Sequence, residues 1–252
     1  MISNLILNKV SSLFSLIFIF VTALFFINCG SKSASSRRPN ILFVISDDQS
    51  FGHTSFGGSS YISTPGFDRI AEEGVYFTNA YAASPGCAPS RSAIVTGRYP
   101  WQNEQSGQHA SSWMKKYVPF VDELSASGYS TGKTGKGVDP FQYARSDADS
   151  LWRLKNAAGE SHSSITYDSD DTSLPSDKIS KTNYFENFKN FMENTRDDKP
   201  FFFWFGAHEP HRAYEKGSWR KSGKKLSDVV VPEFLPDTET VRGDLLDYAV
   251  VI

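Results

Sequence analysis

The chain of 252 residues is 39% hydrophobic and 21% charged, the balance of a globular protein, which excludes collagen, a coiled coil and a mostly disordered chain. Lys and Arg total 26 against 28 Asp and Glu, a formal charge of −2, so no nucleic-acid partner is expected from the overall charge. Two cysteines cannot build a disulfide scaffold, and 14% aromatics, with 20 Phe, suit a deep core or a carbohydrate-facing surface.

Residues 1–28 contain one charge, Lys9, and a nearly unbroken apolar run of 15 residues from Leu13 to Ile27. That is the length of a signal-peptide core and short of the ~20 residues a membrane span needs. The following Cys29 is placed like the lipid-accepting residue of a bacterial lipoprotein; plain cleavage with an incidental Cys29 is the alternative. Either predicts export to the periplasm or cell envelope, the first with a lipid anchor on the outer face of a membrane. Residues 29–39, rich in Ser, read as a tether, and residues 40–252 as the folded region. The apolar run Asn40–Ser46 ending in Asp47-Asp48 predicts a parallel strand buried on both faces. Thr64-Pro65 opens a helix that closes at Gly74; Val75–Tyr81 predicts a second strand; Pro89 starts a helix running to Gly97. A short helix over Val121–Ser127 stops at Gly128, and Tyr129–Lys133 is a short strand. Residues 140–178 read as a polar surface insertion, Asn183–Thr195 as an amphipathic helix with Phe185, Phe188, Phe191 and Met192 on one face, and Pro200–Phe205 as a strongly buried strand. From Thr238 the spacing of Val241, Leu245, Tyr248, Ala249 and Ile252 is helical up to the last residue, with no Gly, Pro or polar cap, which reads as a truncation. Alternating strands and helices make the class α/β.

The most specific local pattern is Cys87-Ala-Pro-Ser-Arg91 followed by Thr96-Gly97-Arg98. Pro89 pre-sets a first helical turn, so Cys87 falls at a helix N-terminus with free N–H groups and a positive dipole end, and Arg91 can reach an anion held there. A nucleophile at an anion-binding helix start is what attack on a sulfate or phosphate ester requires. Upstream, Asp47 and Asp48 pair two carboxylates at a strand end, hard donors suited to Ca²⁺ or Mg²⁺ rather than zinc; taken alone, they read equally well as a turn cap.

The ordered series Arg38-Pro-Asn40, Asp47-Asp48, Thr64-Pro65, Asp68-Arg69, Gly74-Val75, Phe77-Thr-Asn-Ala80 and the cysteine motif resembles the N-terminal part of a type I sulfatase, of the alkaline-phosphatase-like superfamily. Gly128-Tyr129, Gly135-Lys136-Gly137 and His208-Glu-Pro-His211-Arg212 are similar to the heparan N-sulfatase-like and polysaccharide sulfatase branch. The resemblance implies a sandwich built on a central, mostly parallel sheet flanked by helices. It also implies a maturation enzyme that oxidises the cysteine, here Cys87, to formylglycine. One hydroxyl of the hydrated aldehyde attacks sulfur and the sugar alcohol or amine leaves; the other then loses its proton, expelling sulfate and restoring the aldehyde. Asp47 and Asp48 match the first two metal ligands, the residue at 87 lies beside the same cation, and the cation is expected to be Ca²⁺, with Mg²⁺ as the alternative. Lys136 matches the lysine that grips sulfate oxygens, with Lys133 read as a solvated neighbour. His211 matches the histidine that contacts sulfate or protonates the leaving group, while His208 and Arg212 are candidate substrate-binding residues. His53, His109 and His162 read as loop residues.

The chain departs from that pattern in two ways. The histidine that often follows the Gly-Lys motif is replaced by Gly137-Val138, and the expected downstream Asp-Asn or Asp-His metal pair, the second lysine and the smaller subdomain are not in the sequence. The leading expectation is hydrolysis of sulfate from a sulfated glycan, with Trp204 and Trp219 as sugar-stacking candidates. Alternatives are a broad arylsulfatase, a phosphomonoesterase or phosphodiesterase (disfavoured by Cys where those enzymes use Thr or Ser), and an inactive glycan-binding surface lipoprotein using Arg212, Lys216, Arg220, Lys221, Lys224 and Lys225.

Overall fold

A computed structural model describes residues 38–252 other than 169, 170, 172, 173 and 197. The expected leader over residues 1–28 and the expected lipidation site Cys29 therefore lie outside the described residues. Pro39–Ile252 form one compact unit. No helix among the described residues is long and apolar enough to cross a membrane.

The elements run β1 (Ile41–Ile45), α1 (Pro65–Glu73), α2 (Cys87–Thr96), α3 (Phe120–Ala126), β2 (Ser130–Gly135), α4 (Tyr184–Asn194), β3 (Phe201–Gly206) and α5 (Glu239–Val250), with short 3₁₀ turns between. The three strands form a wholly parallel sheet in the order β1-β3-β2, with Ile41 opposite Phe202 and Ser130 opposite Phe201. Parallel neighbours need long crossovers, which the helices supply.

β3 is central because its side chains are apolar on both faces. Phe202 and Trp204 join Val95, Trp113, Tyr117, Val121 and Val138 in the main core. Phe201 and Phe203 point the other way, onto Phe188 and Phe191 of α4. Each such aromatic contributes about 1.5–3 kcal/mol by burial. α4 starts where the Asn183 Oδ1 accepts the N–H of Glu186 at 3.1 Å, an N-cap. Its inward stripe is narrower than the sequence spacing implies, since Phe185 and Met192 stay exposed. A third cluster, around Leu246, Tyr248, Tyr61 and Val229, seats α5, whose N-cap is Thr238.

Several expectations are corrected. β1 is an edge strand with Leu42 46% and Val44 58% exposed, because no described element packs on that face. Val75–Tyr81 forms no strand, and Val75, Phe77 and Tyr81 are exposed. A strand pattern is realised only where a partner edge takes its hydrogen bonds, and none of the described strands pairs there. The 140–178 segment is more than surface: Ala157 and Ala158 are fully buried, and Asn187 of α4 clamps both the N–H and the carbonyl of nearby Ile165.

Candidate functional site

The strand ends converge where β1 gives way to Asp47. The Ala207 N–H donates to the Ile45 carbonyl at 3.0 Å and the Asp47 N–H to the Glu209 carbonyl at 2.9 Å, which stitches β1 to the segment after β3. The next residue, Asp48, has φ +61°, a left-handed conformation that Asp tolerates better than most side chains. Consecutive carboxylates are thereby turned apart while lining one cleft.

Cys87 is the first residue of α2, after Gly86, as the sequence implies. It is half-buried, its thiol is free, and it lines a cleft of about 660 Å³ with Asp47, Asp48, Ser90 and Arg91. α2 ends at Gly97, whose φ of +65° is cheap only for glycine; its N–H returns to the Ala93 carbonyl.

Arg91 is 2% exposed, and its guanidinium donates to the carbonyls of Lys136 at 3.0 Å and Gly137 at 2.9 Å and to Asp47 Oδ1 at 3.3 Å. Asp47, 3% exposed, is held on its other oxygen by the Lys136 ammonium. The buried carboxylate thus bridges two cations, and the loop Gly135-Lys136-Gly137 is fastened from several sides. Trp204 Nε1 donates to the Lys136 carbonyl, Asp139 accepts the Gly137 N–H, and Lys133 Nζ donates to the Gly135 carbonyl at 2.9 Å. Lys133 is therefore buried, not solvated, and desolvation lowers its pKa, offset in part by Asp139. Trp204 is wholly buried and so is not presented to a sugar, while Trp219 is half-buried, packed against the cluster that seats α5.

On the far side of Asp47 a second cleft of about 420 Å³ is lined by Lys136, Lys178, His208, Glu209, His211 and Arg212, among others. His208 opens to this cleft, yet the protein atoms around its ring lower its pKa by desolvation. His211 has Nδ1 on the Arg212 carbonyl and Nε2 3.5 Å from Asp48 Oδ2. The ring thus lies between the Arg212 carbonyl and the Asp48 carboxylate. Arg212 forks onto Asp244 of α5 at 2.8 and 2.5 Å and stacks over Tyr214, so its donors are engaged within the protein. Lys221 pairs with Glu215 and Lys224 donates to the Tyr61 carbonyl, which disperses the basic segment.

The structure therefore brings Asp47, Asp48, Cys87, Arg91, Lys136, His208 and His211 around two clefts that share Asp47, with Arg212 on the wall of the second and its donors engaged by Asp244. Three contributors were not foreseen. Glu209 anchors Ser180 and Tyr184 through its carboxylate and Asp47 through its carbonyl; its signal was its place inside the histidine motif. Asp244 and Lys178 had no local signal. His53 lies in a loop, as the sequence implies, and its Nδ1 meets Tyr248 Oη at 3.0 Å, while burial lowers the histidine pKa and pushes the tyrosine up to about 12.

Asp47 and Asp48 offer the hard carboxylate oxygens that Ca²⁺ or Mg²⁺ prefer, in one cleft beside Cys87, and so fit such a cation in kind. Among the described residues no group of three or more His, Cys, Asp or Glu converges on one point, so these two supply only part of a shell of about 6–8 oxygens.

Comparison with known proteins agrees with this arrangement. An N-acetylglucosamine-6-O-sulfatase of Bacteroides thetaiotaomicron is 29% identical over 221 residues, 84% of this chain and 38% of its own length. The human N-sulphoglucosamine sulphohydrolase is 28% identical over 243 residues, 83% of this chain and 43% of its own. The chain thus spans about two fifths of the length of these two relatives. A solved structure in complex with its substrate, D-glucosamine-2-N,6-O-disulfate, superposes with a TM-score of 0.53 at 25% identity, covering 74% of this chain and 38% of that one. A putative sulfatase from Bacteroides fragilis shares the fold at a TM-score of 0.56 and 18% identity, covering 84% of this chain and 55% of that one. The Sulfatase family model matches residues 39–227, and with three quarters of its length inside that match the chain belongs to the sulfatase family.

Proposed function

We propose that this chain is the nucleophile-bearing part of an exported sulfuric ester hydrolase that removes sulfate from sulfated poly- or oligosaccharides. The observation that carries the reading is Cys87 at the first position of α2, in one cleft with Asp47, Asp48 and Arg91. The relatives named for glucosamine-type substrates match over more than four fifths of this chain, which supports a glycan rather than an aryl ester.

Residue 87, once oxidised by a maturation enzyme, would supply an aldehyde hydrate for attack on sulfur. The free N–H groups and positive end of α2 stabilise the sulfate oxygens as charge builds on them. Asp47 and Asp48 would hold a divalent cation, Ca²⁺ before Mg²⁺, whose chemistry is to neutralise sulfate charge. Arg91 fixes Asp47 and the Lys136 loop in register; Lys136 lies where its ammonium can grip a sulfate oxygen. His211, beside Asp48 on the wall of the second cleft, is placed to pass a proton to the leaving sugar oxygen. His208 contacts substrate as a neutral ring, and Arg212 holds the segment carrying His211. Lipidation of Cys29 would place the enzyme at the outer face of a membrane, against external glycans.

The test is sulfate release from a sulfated oligosaccharide by the complete protein, co-expressed with a maturation enzyme, with mass spectrometry of the peptide that contains residue 87. Aldehyde in the wild-type peptide and no release by Cys87→Ala are expected. Release by Cys87→Ala at the wild-type rate would overturn the mechanism.

A further inference from the structure

The cleft beyond Asp47 has more cationic groups than a single sulfate uses. Lys136 is paired with Asp47, His211 faces Asp48, and both donor arms of Arg212 are taken by Asp244. Glu209 accepts the Ser180 N–H at 2.8 Å and the Tyr184 hydroxyl at 2.9 Å, one on each carboxylate oxygen. Lys178 remains: it lines the cleft, it is exposed, and among the described residues no carboxylate lies within ion-pair distance of its ammonium.

Its backbone is nevertheless fixed. The Lys178 N–H donates to Ser176 Oγ at 3.1 Å, and Ser176 is buried. Two residues later the Ser180 N–H is held by Glu209, whose carbonyl in turn holds Asp47. The strap carrying Lys178 is tied to the same strand end that carries Asp47, so the base of the Lys178 side chain is fixed at the edge of the cleft and its ammonium is within reach of an anion there.

Resting on the sulfatase reading above, we propose that Lys178 is a specificity-determining residue that binds a second anionic group, sulfate or carboxylate, on the sugar whose first sulfate faces residue 87. An ammonium on a four-carbon stem makes a point-charge contact that accepts either anion without demanding a planar fork. A sugar with one sulfate leaves Lys178 in water, whereas a sugar with two anions engages it.

The test is isothermal titration of the full chain with three probes in the presence of Ca²⁺: N-acetylglucosamine 6-sulfate, glucosamine 2-N,6-O-disulfate, and a 6-sulfated disaccharide carrying a uronate. Wild type should bind at least one dianionic probe about tenfold more tightly than the monosulfate, the scale of one charge-assisted contact. Lys178→Ala should erase that preference with less than a twofold change on the monosulfate, and Lys178→Arg should restore most of it. Which dianion is preferred tells sulfate from carboxylate. A wild-type preference that survives Lys178→Ala, or no preference in wild type, overturns the Lys178 assignment and leaves the sulfatase reading standing. No binding of any probe, in wild type and variants alike, overturns both.

Discussion

Replacing Arg91 by Met keeps most of the side chain's length and removes its charge and all three of its hydrogen bonds. The Gly137 carbonyl loses the guanidinium donor, and Asp47 loses one of two cations while staying 3% exposed. An orphaned buried carbonyl costs about 1–3 kcal/mol and a hydrogen bond to a charged group contributes about 1.5–3. Breaking a buried ion pair by removing one partner costs about 3–5 in total, which contains these terms rather than adding to them. Lys136 retains its grip on Asp47, and the Lys136 carbonyl keeps the Trp204 indole, so the lower half of that range, about 3–4 kcal/mol, is expected. For a chain of this size that is roughly 6–16 °C in melting temperature. Arg91→Lys should fall between wild type and Arg91→Met, since one ammonium can answer Asp47 or a carbonyl but cannot fork across three acceptors. Urea unfolding followed by near-ultraviolet circular dichroism, in EDTA so that no cation shields Asp47, measures the series. An Arg91→Met variant within about 1 kcal/mol of wild type would refute the claim that this guanidinium fastens the Lys136 loop to the end of β1.

Three further outcomes are expected. Gly135→Ala should cost more than about 3 kcal/mol, because φ is +64° and a Cβ would stand 2.1 Å from the Gly206 carbonyl; a variant with an unchanged urea midpoint would show the β2–β3 junction to be looser than described. His53 and His162 have folded-state pKa values depressed below 6.5 by burial, with Glu160 opposing weakly at His162. The unfolded chain therefore binds more protons below about pH 6.5, so their contribution is full above that pH and is lost as pH falls through the folded-state values; NMR titration giving either ring a pKa of 6.5 or higher would sink this. Labelling of cells with a fatty acid should mark the wild-type protein and not Cys29→Ala, and label on both or on neither leaves a plainly cleaved secretory signal.

What the sequence disclosed follows from the range over which each feature is determined. β3 is legible because Phe201–Trp204 is apolar at every position, and only a strand covered on both faces accommodates that. The α2 boundaries are legible because Pro89 and Gly97 act on their own backbone. The apolar residues of Asn40–Ser46 and Val75–Tyr81 look alike in the sequence, yet one pairs with β3 and the other lies exposed, since pairing is decided by what stands alongside. Phe185 fails for a related reason: helical spacing tolerates several stripes, and contact with Phe201 and Phe203 selects the one through Phe188 and Phe191.

The candidate site divides along the same line. Cys87 and the Asp47-Asp48 pair could be named because their chemistry depends on local backbone, a helix start and a strand end. Arg91 and Lys136 could be named too, but not the contacts they make, because these join residues far apart in the chain: Arg91 reaches 45 residues onward to the Lys136 carbonyl, and Lys136 reaches back 89 to Asp47. Burying a carboxylate is costly unless its charge is paired, and here Arg91 holds one oxygen of Asp47 and Lys136 the other. That pairing joins the end of β1 to the Gly135-Lys136-Gly137 loop, so residues that stand apart in the sequence become one charged cluster only in the fold.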